Sequence, residues 1–274
     1  SSEGGQALRV ERGRTTVARS ILDGQIWANS EAASLTMRDS VLSNSAITSG
    51  DPLDRIQAPT PAKAASDMAL GLPGEKIRAL SVIRVRDGAS FTGVGLDVTA
   101  PGPLGVTVEN ASAYLCGGAI HDMEHVLGER AGWGAFVAEA GSLTLEAVEI
   151  YGNSEAGALA DGTGTVLRLS EGSTVTDTRR TPSLMSALSV VLQNGAAGEL
   201  IDMVIADNEG PGLYLTEGAT GIVQGTTFTA NAFAGIVVMG GTLLMDDCRI
   251  SDTMSDASNG GGVHCYSSTT TFKN

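Results

Sequence analysis

Cysteine, aromatic residues and positive charge are all scarce in this chain. Three cysteines in 274 residues cannot build the dense disulfide framework that holds small secreted domains together. Aromatics at 4% and a hydrophobic content of 42% carried mainly by Ala, Val, Leu and Ile suit a narrow interior. With 17 Lys and Arg against 31 Asp and Glu, the net charge of −14 sets long-range repulsion against DNA, RNA and anionic lipid. No run of 18 apolar residues is present, so no helical membrane span is expected, and nothing at Ser1 resembles a signal peptide.

What the chain has in quantity is glycine, 36 residues, and repetition. GSLTLEAVEIYGN begins at Gly141, and GTLLMDDCRISDT follows it at Gly241 without a gap in the alignment. ASLTMRDSVLSN from Ala33 fits if one residue is dropped. An apolar residue followed three later by Asn recurs as Ile150 and Asn153, Ile205 and Asn208, Phe228 and Asn231, and Ile250 with Thr253. The intervals are 55, 23 and 22 residues, so the longest holds two turns, the missing one centred on Val175 and Thr178. Such units bury their apolar face only by stacking on their neighbours.

Within a turn Leu143, Leu145, Val148 and Ile150 are matched by Leu243, Met245, Cys248 and Ile250. This is a period of two with one skipped step, the mark of short strands interrupted by a bend. A further strand follows each Asn after a glycine, as at Gly157, Gly212, Gly235 and Gly262. Three short strands per turn of about two dozen residues predict an all-β, right-handed parallel β-helix, one domain over residues 1–274 with room for about nine turns. The L-x-x-L-x-L-x-x-N frame of leucine-rich repeats is absent, and the period is too irregular for a hexapeptide solenoid. Asn at a fixed place suits the fold, because it tolerates the left-handed conformation and can hydrogen-bond along the stack.

The pattern breaks twice. From about residue 48 to 79 four prolines interrupt it, which predicts a long loop with a short helix over Ala62 to Leu70. A second excursion is expected from His121 to Ala131. At the other end SSTTTFKN opens another turn at Phe272 without a polar cap. Solenoids need such caps, so a longer chain, a partner or a second copy is expected to cover this end.

Phe228-Thr-Ala-Asn231 and Gly117-Gly-Ala-Ile120 resemble the FxxN and GGA(I/L/V) tetrapeptides of polymorphic outer-membrane β-helix passengers, and GGGVHCYSSTTTFKN is similar to repeats of large bacterial cell-surface β-helix proteins. The resemblance implies a non-catalytic module at or outside the bacterial surface, for adhesion, display or recognition. Its expected partners are a surface protein, a neutral glycan, or another copy through the C-terminal end.

Pectate lyases, polygalacturonases and uronan epimerases share this fold, which makes a polysaccharide-active enzyme the alternative. Met245-Asp-Asp-Cys-Arg-Ile250 is similar to the DDC segment of polygalacturonases, and what that implies is Asp246 and Asp247 as paired carboxylates with His264 assisting. The neighbouring family motifs depart: Gln224-Gly-Thr226 stands for NTD, Val263-His-Cys265 for Gly-His-Gly, and no Arg-x-Lys follows. Strand alternation also predicts that Asp246 and Asp247 point to opposite sides unless a bulge intervenes.

No cofactor is expected, calcium alone being left open. Calcium, used by lyases of this fold, would have to bridge Asp202 to Asp247 or Asp207 to Asp252 across an intervening turn. That is roughly 10 Å for an ion whose ligands lie at about 2.4 Å. His121, Glu124 and His125 match the inverted zinc-peptidase pattern H-x-x-E-H, which on a helix would set both imidazoles on one side. Cys248 is expected as an inward core residue, its pairing with Cys265 open, and Cys116 is left over. The alignment makes one firm geometric demand: Leu145, Leu200, Val223 and Met245 must form a single inward column.

Overall fold

The computed structural model describes residues 6–43, 80–124, 132–180, 187–254 and 261–273, all of it strands, turns and connections. The helix expected over residues 62–70 lies outside the described residues. One turn shows the plan: Trp133–Ala138 forms a first face, Ser142–Glu146 a second and Glu149–Tyr151 a third, after which Ala156–Asp161 returns to the first. Each strand pairs in parallel with its counterparts one turn below and above. The first face alone is a ten-stranded sheet among the described residues, one turn more than the sequence suggested. No described helix is long and apolar enough to cross a membrane.

The inward column is as demanded. Leu115, Leu145, Leu169, Leu200, Val223 and Met245 are in register, and none is more than 4% exposed. Burying each such side chain contributes roughly 1.5–3 kcal/mol. Val175 pairs with Ile150 and Ile205, the place assigned to the missing turn. Cys248 lies where expected, its Sγ directed at the carbonyls of Val223 and Asp246 at 3.4 and 3.2 Å, and all three cysteines are free.

Corners are made by left-handed residues. Between first and second faces two of them in succession, Asp87-Gly88, Asn194-Gly195 and Glu217-Gly218, close a turn with an N–H to C=O bond across it, for example Ala196 to Gln193 at 3.1 Å. Positive φ at both central positions is the type I′ signature, which accounts for the Asn-Gly and Asp-Gly pairs. Between second and third faces a single left-handed residue suffices in most turns: Ala147, Asp202, Gly225 and Asp247.

At the third corner the reason for asparagine differs from the one expected. The left-handed residue is the one before it, Gly152, Asp207 or Ala230, and Asn153, Asn208 and Asn231 are not left-handed. Their part is hydrogen bonding between turns. The Thr178 N–H donates to Asn208 Oδ1 at 2.9 Å, while Asn208 Nδ2 donates to the Val175 carbonyl at 3.1 Å and to Asn231 Oδ1 at 2.8 Å. Asn231 and Asn153 donate in the same way to the carbonyls of Ile205 and Ile120. A strand passing this close leaves no room for a side chain. A Cβ on Gly212 would lie 2.8 Å from the Gly235 carbonyl oxygen, 2.9 Å from Phe228 and 3.0 Å from Asn231 Nδ2.

The described segments are interrupted at 44–79, 125–131, 181–186 and 255–260, in each case between a third-face strand and the next first-face strand. The excursion expected from residue 121 begins later, because His121 closes the strand Ser112–His121 and Met123 is fully buried.

Asn208→Ala strands the Thr178 N–H and the Val175 carbonyl inside the stack, and should cost about 2–4 kcal/mol. Gly212→Ala should cost about 1–3 kcal/mol through overpacking. Thermal unfolding checks both. A melting temperature unchanged in either variant would mean that the ladder does not hold this corner together.

Candidate recognition surface

Because first-face strands are in register, side chains on their outer side also form a column: Trp27, Arg84, Thr107, Phe136, Leu159, Val191, Tyr214, Val237 and His264. Read linearly, aromatics on different turns look dispersed. In a stack, different turns at one register position are neighbours.

The column changes character along the axis. At its start the Trp27 ring lies between the guanidinium groups of Arg9 and Arg84, 5.9 and 5.4 Å from its centroid. Arg84 is buried and holds Glu109 Oε2 through Nε at 2.8 Å and Nη2 at 2.7 Å. Removing one partner of such a pair leaves an uncompensated buried charge. In the middle Leu104, Trp133, Phe136, Leu159 and Val191 form a second hydrophobic cluster outside the main core, with Trp133 and Phe136 at 5.6 Å.

Towards the last turns the outer surface opens. The Tyr214 hydroxyl is directed at Met239 Sδ at 3.1 Å, and burial raises the Tyr214 pKa. His264 lies 5.5 Å from the Phe233 ring and 6.4 Å from Tyr266. Phe233 is 40% exposed, Met239 42%, Met254 55% and Tyr266 56%. Aromatic and methionine side chains gathered in this way mark a surface suited to docking, since scattered exposed apolar residues are ordinary but contiguous ones are not.

His264 therefore belongs with rings, and not with the two aspartates of the enzyme alternative. Asp246 lies on the second face in register with Gln224 and Lys273. Asp247 forms the left-handed bend after it, so simple alternation fails at this position. His264 pairs with Val237 on the first face. The outer sides of two faces point in different directions, and the structure does not bring the three together.

His121 is placed differently from the helix that the H-x-x-E-H spacing would require. It ends a strand, stacked on Tyr151 with centroids 4.6 Å apart and planes within 6°. Its Nε2 lies 2.8 Å from Asp97 Oδ1 and its Nδ1 2.8 Å from Asp122 Oδ2. Glu124 is exposed, and its N–H donates to the Gly102 carbonyl. His125 lies outside the described residues. Among the described residues no group of three or more His, Cys, Asp or Glu is arranged to hold a metal ion.

The surroundings of His121 are charged. Arg179 pairs with Asp177 at 2.5 Å and reaches the space above Gly152, where Asp122 also lies. Arg180 is held by Glu209, its N–H donating to Oε2 at 2.7 Å and its Nε to the carbonyl at 2.6 Å. Sequence reading missed this group, because Asp97, His121, Tyr151 and Arg179 come from different turns. Partial burial opposes charge on His121, yet the bonds to Asp122 and Asp97 outweigh it and raise its pKa.

A group whose folded pKa is raised contributes stability that is full below its unfolded value, near 6.5, and is lost as pH rises through the folded value. Wild type should therefore lose stability relative to His121→Phe, which keeps the ring stacking, as pH rises from below the unfolded value near 6.5 through the raised folded value. Parallel melting curves for the two proteins across this range would remove the imidazolium from the account.

A family model described as right handed beta helix region matches residues 133–274. No curated protein matches the sequence. Among solved structures, "Crystal structure of Agl-KA catalytic domain" aligns at 9% identity with a TM-score of 0.31, over 95% of this chain and 60% of that one. A likeness at that level carries no argument about activity, and the chain spans 60% of the solved chain's length.

Proposed function

The chain belongs to the right-handed β-helix family, and from that premise we propose that it is a non-catalytic recognition module, displayed outside the cell or on its outer surface, which holds a protein partner on the outer surface of its last turns. The observation that carries this reading is the exposed group of Phe233, Met239, Met254 and Tyr266 around His264. Methionine adapts to irregular apolar surfaces, and aromatic residues and methionine are enriched at the cores of protein interfaces. The net charge of −14 favours a partner that is basic or neutral. A neutral glycan is the related possibility, stacking a sugar ring on Tyr266 or Phe233.

A second reading, a polysaccharide-active enzyme, is favoured by one observation: carboxylates of Asp97 and Asp122 flank His121 beside Tyr151. Paired carboxylates perform acid and base work on glycosidic bonds. On the recognition reading this group instead ties neighbouring turns together through charge.

Two measurements separate the readings. Binding to a panel of outer-surface proteins and neutral glucans should weaken at least about tenfold in the Phe233→Ser, Tyr266→Ser double variant, the equivalent of about 1.4 kcal/mol or more. Incubation with polygalacturonate, alginate or neutral glucans, with or without calcium, should release no reducing ends or unsaturated uronides. Release that disappears in Asp122→Ala, or binding indifferent to the double variant, would favour the enzyme.

A further inference from the structure

We propose that Met239 is an oxidation-sensitive site on the outer surface of the stack, where hydrogen peroxide converts the thioether to a sulfoxide and the Tyr214 hydroxyl captures the oxygen so introduced. The chemistry stands by itself, and only its effect on a bound partner rests on the recognition reading.

Of the methionines among the described residues, Met37, Met123, Met203 and Met245 are at most 4% exposed, whereas Met239 is 42% and Met254 55% exposed. An oxidant must reach the sulfur, so the close-packed interior shields the first four. Met239 ends the strand Ala234–Met239, which has Leu213–Thr216 paired on one side and Gly261–Tyr266 on the other. Its exposure is therefore lateral, across the outer side of a sheet that continues past it in both directions.

Register places a hydroxyl beside it. Tyr214 pairs with Val237 and Thr216 with Met239, so Tyr214 and Met239 stand on the same outer side, one turn and two residues apart. The phenol spans that diagonal, and its oxygen lies 3.1 Å from Met239 Sδ. In the thioether state the contact is weak, because divalent sulfur is a poor acceptor. Burial and the nearby Glu217 carboxylate both disfavour the phenolate, so the hydroxyl keeps its proton and remains a donor.

The step balances. The sulfur lone pair attacks one peroxide oxygen, the O–O bond breaks as the S–O bond forms, and sulfur loses two electrons while peroxide gains them. The departing hydroxide takes the proton of the transferred oxygen and leaves as water. The sulfoxide oxygen is a far stronger acceptor than the sulfur it is bonded to, and the nearest donor is the Tyr214 hydroxyl. A flexible apolar side chain thus becomes polar and pinned, a change that disrupts methionine-bearing interfaces and is undone by enzymatic reduction. On the recognition reading, a partner loses an adaptable contact when Met239 is oxidised and regains it on reduction.

The test follows both partners of the pair in the full chain. After hydrogen peroxide treatment, peptide mass mapping should find one added oxygen at Met239 at least about tenfold sooner than at Met203 or Met245. A hydrogen bond donated by the neutral phenol raises its pKa. In protein carrying isotope-labelled tyrosine, with Tyr214→Phe assigning the resonance, oxidation should therefore move the Tyr214 ionisation to higher pH. The same treatment of Met239→Leu, in which Met254 is still oxidised, should leave it in place. The two methionine sulfoxide reductases, one for each sulfoxide epimer, should restore the original curve. Oxidation of Met239 no faster than that of Met245, or a Tyr214 ionisation indifferent to oxidation, would overturn the proposal. A failure of the recognition reading appears instead in the binding panel and leaves both readouts as stated.

Discussion

Backbone pairing between successive turns is the constraint on which everything else in this molecule depends. Parallel strands about 4.8 Å apart are held in register over the ten described strands of the first face, and a slip of one residue would turn every inward side chain outward. Each position in a turn is therefore a column in space, and each residue must suit the one above and below it. The asparagine ladder meets this demand with amides that donate to one turn and accept from another. The glycines facing it meet the demand by having nothing to place there.

The same constraint governs charge. Two carboxylates in one column on successive turns repel by about 0.9 kcal/mol in water and by more near protein. Several acidic corner positions are relieved by a small residue on the next turn: Asp202 is followed by Gly225 and then Asp247, and Asp207 by Ala230 and Asp252. The Asp202 carboxylate lies over Gly225 where a Cβ would be, and Asp39 and Asp122 lie over Gly95 and Gly152 in the same manner. Asp177 and Asp207 lack a spacer, and there Arg179 pairs with Asp177. An acidic chain thus stacks by interleaving charge with glycine and alanine, and by adding cations where it does not.

Once the stack is secured, the outer sides of the faces are free to differ. The first face is closed by apolar packing through its middle and opens into rings and methionines at its last turns. The His121 corner gathers carboxylates, an imidazole and a guanidinium from turns about 25 residues apart in sequence. One is an exposed apolar surface, the other a knot of charge between turns, and both are by-products of registration.

The fold and its columns were legible in the sequence, because alternation, the apolar-x-x-Asn phrase and the glycine after it are local consequences of stacking and recur wherever a turn recurs. Even the register of Leu145, Leu200, Val223 and Met245 could be read by aligning repeats. The surfaces were not legible. Asp246, Asp247 and His264 lie within a short stretch of chain yet on different faces, whereas Phe233 and His264, or Asp97 and His121, are distant in sequence and near in space. The sequence determined the period, since each turn must satisfy its own backbone and bury its own apolar residues. Only the tertiary structure decided which side chains meet, because lateral neighbours in a solenoid come from successive turns, and the varying lengths of the connections between third and first faces hide that adjacency from any linear spacing.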